Sequence, residues 1–361
     1  MVASPLLTAY LCSGYPAARD DNPPTTSPTM VAVVSGWQPD VLSGYWQTTF
    51  ALGPDPDGEG DLEATLVRRG PADPAARRAV LMVHGFTDYF FNTEFADHLA
   101  ARGVAFYAID LHKCGRSHRG GQTPHFTTDL ARYGTELERA LETIAEETAA
   151  EVLVYGHSAG GLVVTLWLDR RRRRGARAAV SGLVLNSPWF DLQGPAILRS
   201  PPTTAVLRAA GRLRSRAVVR RPTHGGYGTT LHRDFAGDFD YDLTWKPVGG
   251  FPVTLGWIRA IRRGHAQLHR GLDVGVPNLI LRSDHSVREV ADPEVIQRGD
   301  AVLDVAQIAR WAGCVGNRTT VVPIVDAKHD VFLSVAEPRR TAYRELDRWL
   351  DWHSEEGETH G

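Results

Sequence analysis

From Ala79 onward the chain alternates short, continuously apolar runs with helix-length amphipathic stretches. The runs are Ala79–Val83, Val104–Ile109, Val152–Tyr155, Leu183–Leu185, Leu279–Leu281 and Val321–Val325. A run that is apolar on both faces has no solvent side, so it reads as a strand of a parallel sheet buried between helix layers. The intervening stretches predict helices over 93–102, 129–149, 160–173, 304–312 and 338–352. The alternation fails once: roughly ninety residues separate Leu185 from Leu279, far more than short connections and one helix use. That excess predicts an inserted cap over 188–276, with a helix at 255–269 and a Gly-rich stretch around 225–228.

Upstream, Gly44–Phe50 and Leu62–Val67 flank the turn-rich Gly53–Gly58, which suits a β-hairpin. Residues 17–29, rich in Pro, Asp, Asn, Thr and Ser, cannot bury enough apolar surface to fold alone. The expected organisation is therefore a disordered tail over 1–36, a core over 37–187 and 277–353, the cap, and a C-terminal tail over 354–361. The fold class is α/β, with a mostly parallel central sheet and helices on both faces.

One motif sits at a position where this architecture places chemistry. Gly156-His157-Ser158-Ala159-Gly160 follows the run Val152–Tyr155 and opens an apolar helix. A strand-to-helix turn this sharp forces the serine into a strained, exposed backbone position, and the glycines provide clearance. Ser158 reads as a nucleophile. A serine hydroxyl needs a histidine to take its proton and a carboxylate to hold that histidine's tautomer. His329, in Asp326-Ala327-Lys328-His329-Asp330 after the last strand, lies on the sheet edge that carries Ser158. The carboxylate has several candidates after the strand at 278–281. Asp300, in Gly299-Asp300-Ala301-Val302-Leu303-Asp304, fits best; Asp284 is second, and Asp304 or Asp292 remain, Asp304 reading as a helix cap. With Asp300 as the acid, Ser286–Arg298 is extra loop.

Acyl transfer also needs donors for a developing oxyanion. The backbone amides of Ala159 and of Phe86, in the turn His84-Gly85-Phe86-Thr87-Asp88, are the candidates. His84, His157, Trp189 and Phe190 are candidate pocket residues. In the cap, Phe235, Phe239, Tyr241, Trp245, Phe251 and Trp257 are, as a group, candidates either for lining an acyl pocket or for the cap's own core.

His84-Gly85-Phe86, Asp110-Leu111-His112-Lys113-Cys114-Gly115-Arg116-Ser117, the Ser158 motif, Leu185-Asn186-Ser187-Pro188-Trp189 and Lys328-His329-Asp330 together resemble the α/β-hydrolase superfamily. Within it they are similar to the branch of monoacylglycerol lipases, lysophospholipases and serine aminopeptidases, over about 37–352. The resemblance implies a serine hydrolase with a lid over its pocket, acting on a small ester or acyl substrate. Two features depart from it: Ser286 holds the early position expected for the acid, and the cap is Arg-rich where a lipase exposes apolar surface. The same residues also serve an acyltransferase or thioesterase. A non-catalytic binding protein of the same fold is the remaining alternative.

Charge and composition narrow the partners. A net charge of -2 and a pI of 6.7 give no reason to expect nucleic acid. Nearly all the bases are arginine, with lysine only at 113, 246 and 328. Arg170–Arg174 reads as a solvated helix end, where cations complement the dipole, and the cap arginines as a solvated amphipathic helix or, alternatively, as an attractor of an anionic substrate headgroup. Three scattered cysteines argue for a reducing, cytoplasmic setting without a disulfide framework. No signal peptide, membrane-spanning stretch, cofactor motif or metal-ligand spacing is read, so no cofactor and no integral membrane association are expected.

Overall fold

The computed structural model describes residues 36–176, 180–222, 226–287 and 292–359. The expected N-terminal tail lies outside them except for Gly36, as do Gly225 and the last two residues. Nine strands form the main sheet: β1 Gln38–Pro39, β2 Tyr45–Pro54, β3 Asp61–Arg69, β4 Arg78–Val83, β5 Val104–Asp110, β6 Glu151–His157, β7 Val180–Asn186, β10 Asn278–Ser283 and β11 Thr319–Ile324. Their order is β1-β2-β3-β5-β4-β6-β7-β10-β11. The first four neighbours, from β1 to β5, pair antiparallel, and every pair from β5 to β11 is parallel. The insertion adds a two-stranded ribbon, β8 Val218–Arg220 with β9 Val253–Thr254.

The helices are α1 Thr93–Ala101, α2 Gly134–Glu147, α3 Ala159–Arg173, α4 Pro201–Leu213, α5 Leu255–Leu268, α6 Pro293–Ile296, α7 Val305–Trp311 and α8 Ala336–Thr359. The apolar runs of the strands serve two cores at once. In β4, Ala79, Leu81 and Val83 face a cluster with Leu137, Leu162 and Ile261, while Val80 and Met82 face Leu99, Leu346 and Trp349 on the other side. A two-residue period thus supplies both faces, which is why no polar alternation is visible in the sequence.

Three boundaries differ from expectation. The helix expected from Asp129 begins as a 3-10 turn at Leu130–Tyr133, capped by the Asp129 carboxylate, before α2 starts. β11 is an edge strand, so Val321 is 36% exposed and Val325, beyond its end, is 66% exposed. The final helix continues to Thr359, through most of the stretch read as a C-terminal tail. Among the described residues no helix is long and apolar enough to cross a membrane.

Candidate active site

Ser158 sits between β6 and α3 with φ 52° and ψ -119°, left-handed backbone that a residue with a Cβ adopts only under constraint. The constraint is packing by glycine. A Cβ on Gly160 would lie 2.2 Å from the His84 carbonyl oxygen, and one on Gly156 would lie 2.6 Å from Val164. The turn is therefore wedged between the His84 loop and its own helix. Backbone bonds fix it further: the Ser158 amide donates to the Asn186 carbonyl at 3.0 Å, and Trp189 N–H donates to the Ser158 carbonyl at 3.0 Å. The strain is as expected, but the exposure is not. Ser158 is only 8% exposed, on the wall of a cavity of about 680 Å³ that residues between β7 and β10 also line.

His329 lines the same cavity. Its Nδ1 lies 2.9 Å from Asp300 Oδ2, and Asp300 is completely buried. The other carboxylate oxygen, Oδ1, accepts from the amides of Val302 at 2.8 Å and Leu303 at 2.7 Å. The carboxylate can only accept from His329, so Nδ1 carries the proton and Nε2 is left as the acceptor. Asp284 is elsewhere: it is exposed, 2.8 Å from His285 Nδ1, and accepts from Asp326 N–H. Asp304 and Asp292 cap α7 and α6. A backbone bridge between Ser286 and Asp300 brings Asp300 back beside the position where the resemblance expects the acid.

Asn186 joins the two halves of the site. Its carbonyl accepts from the Ser158 amide and from His157 Nδ1 at 3.1 Å, while its side chain reaches Asp330 Oδ1 at 2.7 Å and Val331 N–H at 3.2 Å, next to His329. Burial pushes the His157 imidazole below its ordinary pKa, so it is neutral beside Ser158. Tyr227, from the insertion, stands edge-on to the His329 ring at 5.7 Å and accepts from the Asp330 amide at 3.0 Å.

The turn bearing Phe86 crosses directly over Ser158. A Cβ on Gly85 would lie 3.1 Å from Ser158 Cβ. Among the described residues neither the Phe86 amide nor that of Ala159, the first residue of α3, has a hydrogen-bond partner. Two expected pocket residues do not face the cavity. His84 is 2% exposed beneath the turn: its Nε2 accepts from Leu111 N–H at 3.1 Å, which leaves the Nδ1 proton to donate to the Gly85 carbonyl at 2.8 Å. Phe190 is fully buried, and its carbonyl is bonded by His269. His157 and Trp189 do line the cavity, as do Tyr241, Phe251 and Trp257. Phe239 and Trp245 pack into a small core with Phe91 and Leu231 instead, and Phe235 is 51% exposed.

All three lysines are buried, a pattern the composition hinted at and sequence reasoning missed. Lys113 binds Asp55 at 2.6 Å and Glu59 at 2.7 Å; Lys246 binds Asp88 at 2.5 Å; Lys328 donates to the Thr230 carbonyl at 2.7 Å. Buried cations are not lysine alone, since Arg116 and Arg262 are also buried in ion pairs of their own. Cys114 lies 3.2 Å from His125, but burial raises the thiol and lowers the imidazole, so the pair is neutral and not a thiolate nucleophile.

A strained serine on a strand-to-helix turn, under a mostly parallel sheet edge that also holds a buried His–Asp pair, defines an α/β-hydrolase. Residues 74–290 match the family described as serine aminopeptidase, S33, and the chain belongs to it. Curated proteins contain no match to the sequence. Among solved structures it is similar to a soluble variant of monoglyceride lipase from Saccharomyces cerevisiae in complex with a substrate analogue, at 15% identity and a TM-score of 0.56, covering 91% of this chain and 97% of that one. A monoacylglycerol lipase from Paleococcus ferrophilus gives 16% identity and a TM-score of 0.52, covering 86% and 99%. A highly thermostable carboxyl esterase from Bacillus coagulans gives 13% and 0.54, also covering 86% and 99%. At these identities the likeness is one of fold.

Proposed function

We propose that the protein is a serine hydrolase that cleaves carboxylic esters through an acyl-enzyme. Ser158 Oγ attacks the acyl carbon while His329 Nε2 takes its proton. Asp300 holds the Nδ1–H tautomer and stabilises the imidazolium, and the amides of Phe86 and Ala159 receive the oxyanion. His329 then protonates the departing alcohol, and water activated by the same histidine releases the acid. The observation that carries this reading is the wholly buried Asp300 bonded to His329 in the cavity of the strained Ser158.

The lining favours an acyl ester over the N-terminus of a peptide. Leu192, Leu207, Val219, Leu231, Val253 and Ile258 give the cavity apolar walls. Capture of a substrate ammonium needs an available carboxylate, and Asp88, the carboxylate among the lining residues, is neutralised by Lys246. A fluorophosphonate probe should label wild type and leave Ser158→Ala unlabelled. Acyl esters and monoacylglycerols should turn over, and aminoacyl anilides should not. Labelling that persists in Ser158→Ala, or anilide turnover exceeding ester turnover, overturns the reading.

A further inference from the structure

The turn His84–Tyr89 is held from two sides. Below, His84 fixes the Gly85 carbonyl. Above, three bonds come from one segment of the insertion, residues 242–251. Asp242 N–H donates to Tyr89 Oη at 2.7 Å, Lys246 Nζ donates to Asp88 Oδ1 at 2.5 Å, and Phe251 N–H donates to Thr87 Oγ1 at 2.9 Å. The Phe86 ring also rests on Trp257 of α5, centroids 4.1 Å apart. Thr87 has φ 54°, a left-handed conformation that a β-branched residue keeps only when its surroundings impose it.

Of these contacts the ion pair is the one that would not persist by chance. Asp88 and Lys246 are 5% and 8% exposed, and both line the cavity that holds Ser158. Burial alone would raise the Asp88 carboxyl, yet Lys246 beside it holds it below its ordinary value. The ammonium is seated over the Phe91 and Tyr241 rings, 5.3 and 5.8 Å from their centroids. Removing either partner strands a buried charge. The second carboxylate oxygen lies 3.5 Å from the Gly85 amide, so the pair reaches the residue before Phe86.

We infer that Lys246 is a positioning residue for the oxyanion-binding turn: through Asp88 it holds the Phe86 amide over Ser158, so the insertion completes the reaction site as well as covering it. The inference rests on the hydrolase reading above and adds to it that a lysine remote in sequence sets the rate of acyl transfer. Misplacing an amide donor costs less than deleting it, and deletion costs about 100-fold to 1,000-fold in kcat. Lys246→Met should therefore lower kcat about 10-fold to 100-fold, with KM changed less than about threefold, and Lys246→Arg should recover most of it.

The test measures ester turnover and the rate of fluorophosphonate labelling for wild type, Lys246→Met, Lys246→Arg, Asp88→Asn and the Lys246→Met/Asp88→Asn pair. Labelling also builds negative charge on oxygen at the attacked centre, so its rate should fall with kcat while its final extent stays complete. The double variant should be no slower than Lys246→Met alone. If Lys246→Met does not fold, Thr87→Val removes another bond to the same turn, keeps the ion pair, and should slow kcat and labelling together. Wild-type kcat and labelling rate in Lys246→Met, or no recovery in Lys246→Arg, overturns the inference while leaving the hydrolase reading intact. Failure of wild type to label at Ser158 overturns the hydrolase reading itself.

Discussion

Two Asp–His pairs lie near each other beyond β10, and their lengths are almost the same: 2.9 Å for Asp300–His329 and 2.8 Å for Asp284–His285. Their surroundings are opposite. Asp300 is completely buried with its remaining oxygen bonded by two amides, whereas the side chains of Asp284 and His285 are 32% and 45% exposed. A short contact in water is worth little, since solvent screens it and competes for it. In a dry site the same contact fixes a tautomer. Enclosure, and not distance, separates the pair suited to chemistry from the pair that decorates the surface.

Exchanging each acid for its amide tests this most strongly. Asp300→Asn should cost on the order of 10⁴ in kcat, because the amide oxygen keeps the Val302 and Leu303 N–H bonds and its NH2 then faces Nδ1, which favours the wrong histidine tautomer. Asp284→Asn should stay within about twofold in the same ester assay. Equal losses would dissolve the distinction. A second experiment moves the carboxylate. Ser286 and Asp300 oppose each other across a bridge, and their side chains meet at Leu303, whose carbonyl accepts from Ser286 Oγ and whose amide donates to Asp300. Ser286→Asp in an Asp300→Ala background should recover activity at least about tenfold over Asp300→Ala alone, a size that follows from partial restoration of the histidine partner.

Enclosure also predicts how stability responds to pH. Burial lowers the pKa of His125, His157, His265 and His269 below the ordinary value of 6.5. Below pH 6.5 the unfolded chain binds protons that the folded chain refuses, so stability must fall as pH drops through that value. Each such group adds up to about 1.4 kcal/mol per pH unit. Urea midpoints measured from pH 7 to 5 should decline in wild type and decline less in His265→Gln. At the alkaline end Lys328, 2% exposed, is lowered from 10.5 to about 8 mainly by burial. Between those values the unfolded state holds the extra proton, so wild type should gain on Lys328→Met as pH rises from 8 toward 10. The smallest effect belongs to the exposed pair: Asp284→Asn should shift folding stability by no more than about 0.5 kcal/mol.

Much of this was legible in the chain. The strands and most helices followed from apolar runs, because a strand serving two cores leaves an uninterrupted hydrophobic signature. The strained turn at Ser158 was expected from its motif, and His329 and Asp300, read from chain order and from the Asp304 helix cap, lie bonded to each other, while their catalytic roles belong to the proposal. What escaped the sequence was whatever depends on contacts between distant segments. Asp88 and Lys246 are 158 positions apart. Nothing local to either residue announces the other, and the scarcity of lysine was the one available clue. The insertion's aromatics were legible only in part, because Tyr241 and Phe239 are alike in sequence yet only Tyr241 lines the cavity. Ser158 was expected at the surface because its turn projects it outward, and the insertion that covers it is set by packing that periodicity does not record.

The bridge between Ser286 and Asp300 closes one loop at its two ends. Val287 N–H donates to the Asp300 carbonyl at 2.9 Å and Asp300 N–H to the His285 carbonyl at 3.0 Å, so the chain leaves and re-enters at nearly one point. Thirteen residues lie between Ser286 and Asp300. Doubling such a loop costs only about 0.6 kcal/mol in closure entropy. The bridge thus ties the carboxylate at the loop's exit to the loop's entrance, and the buried Ile296 of α6 anchors the excursion between them.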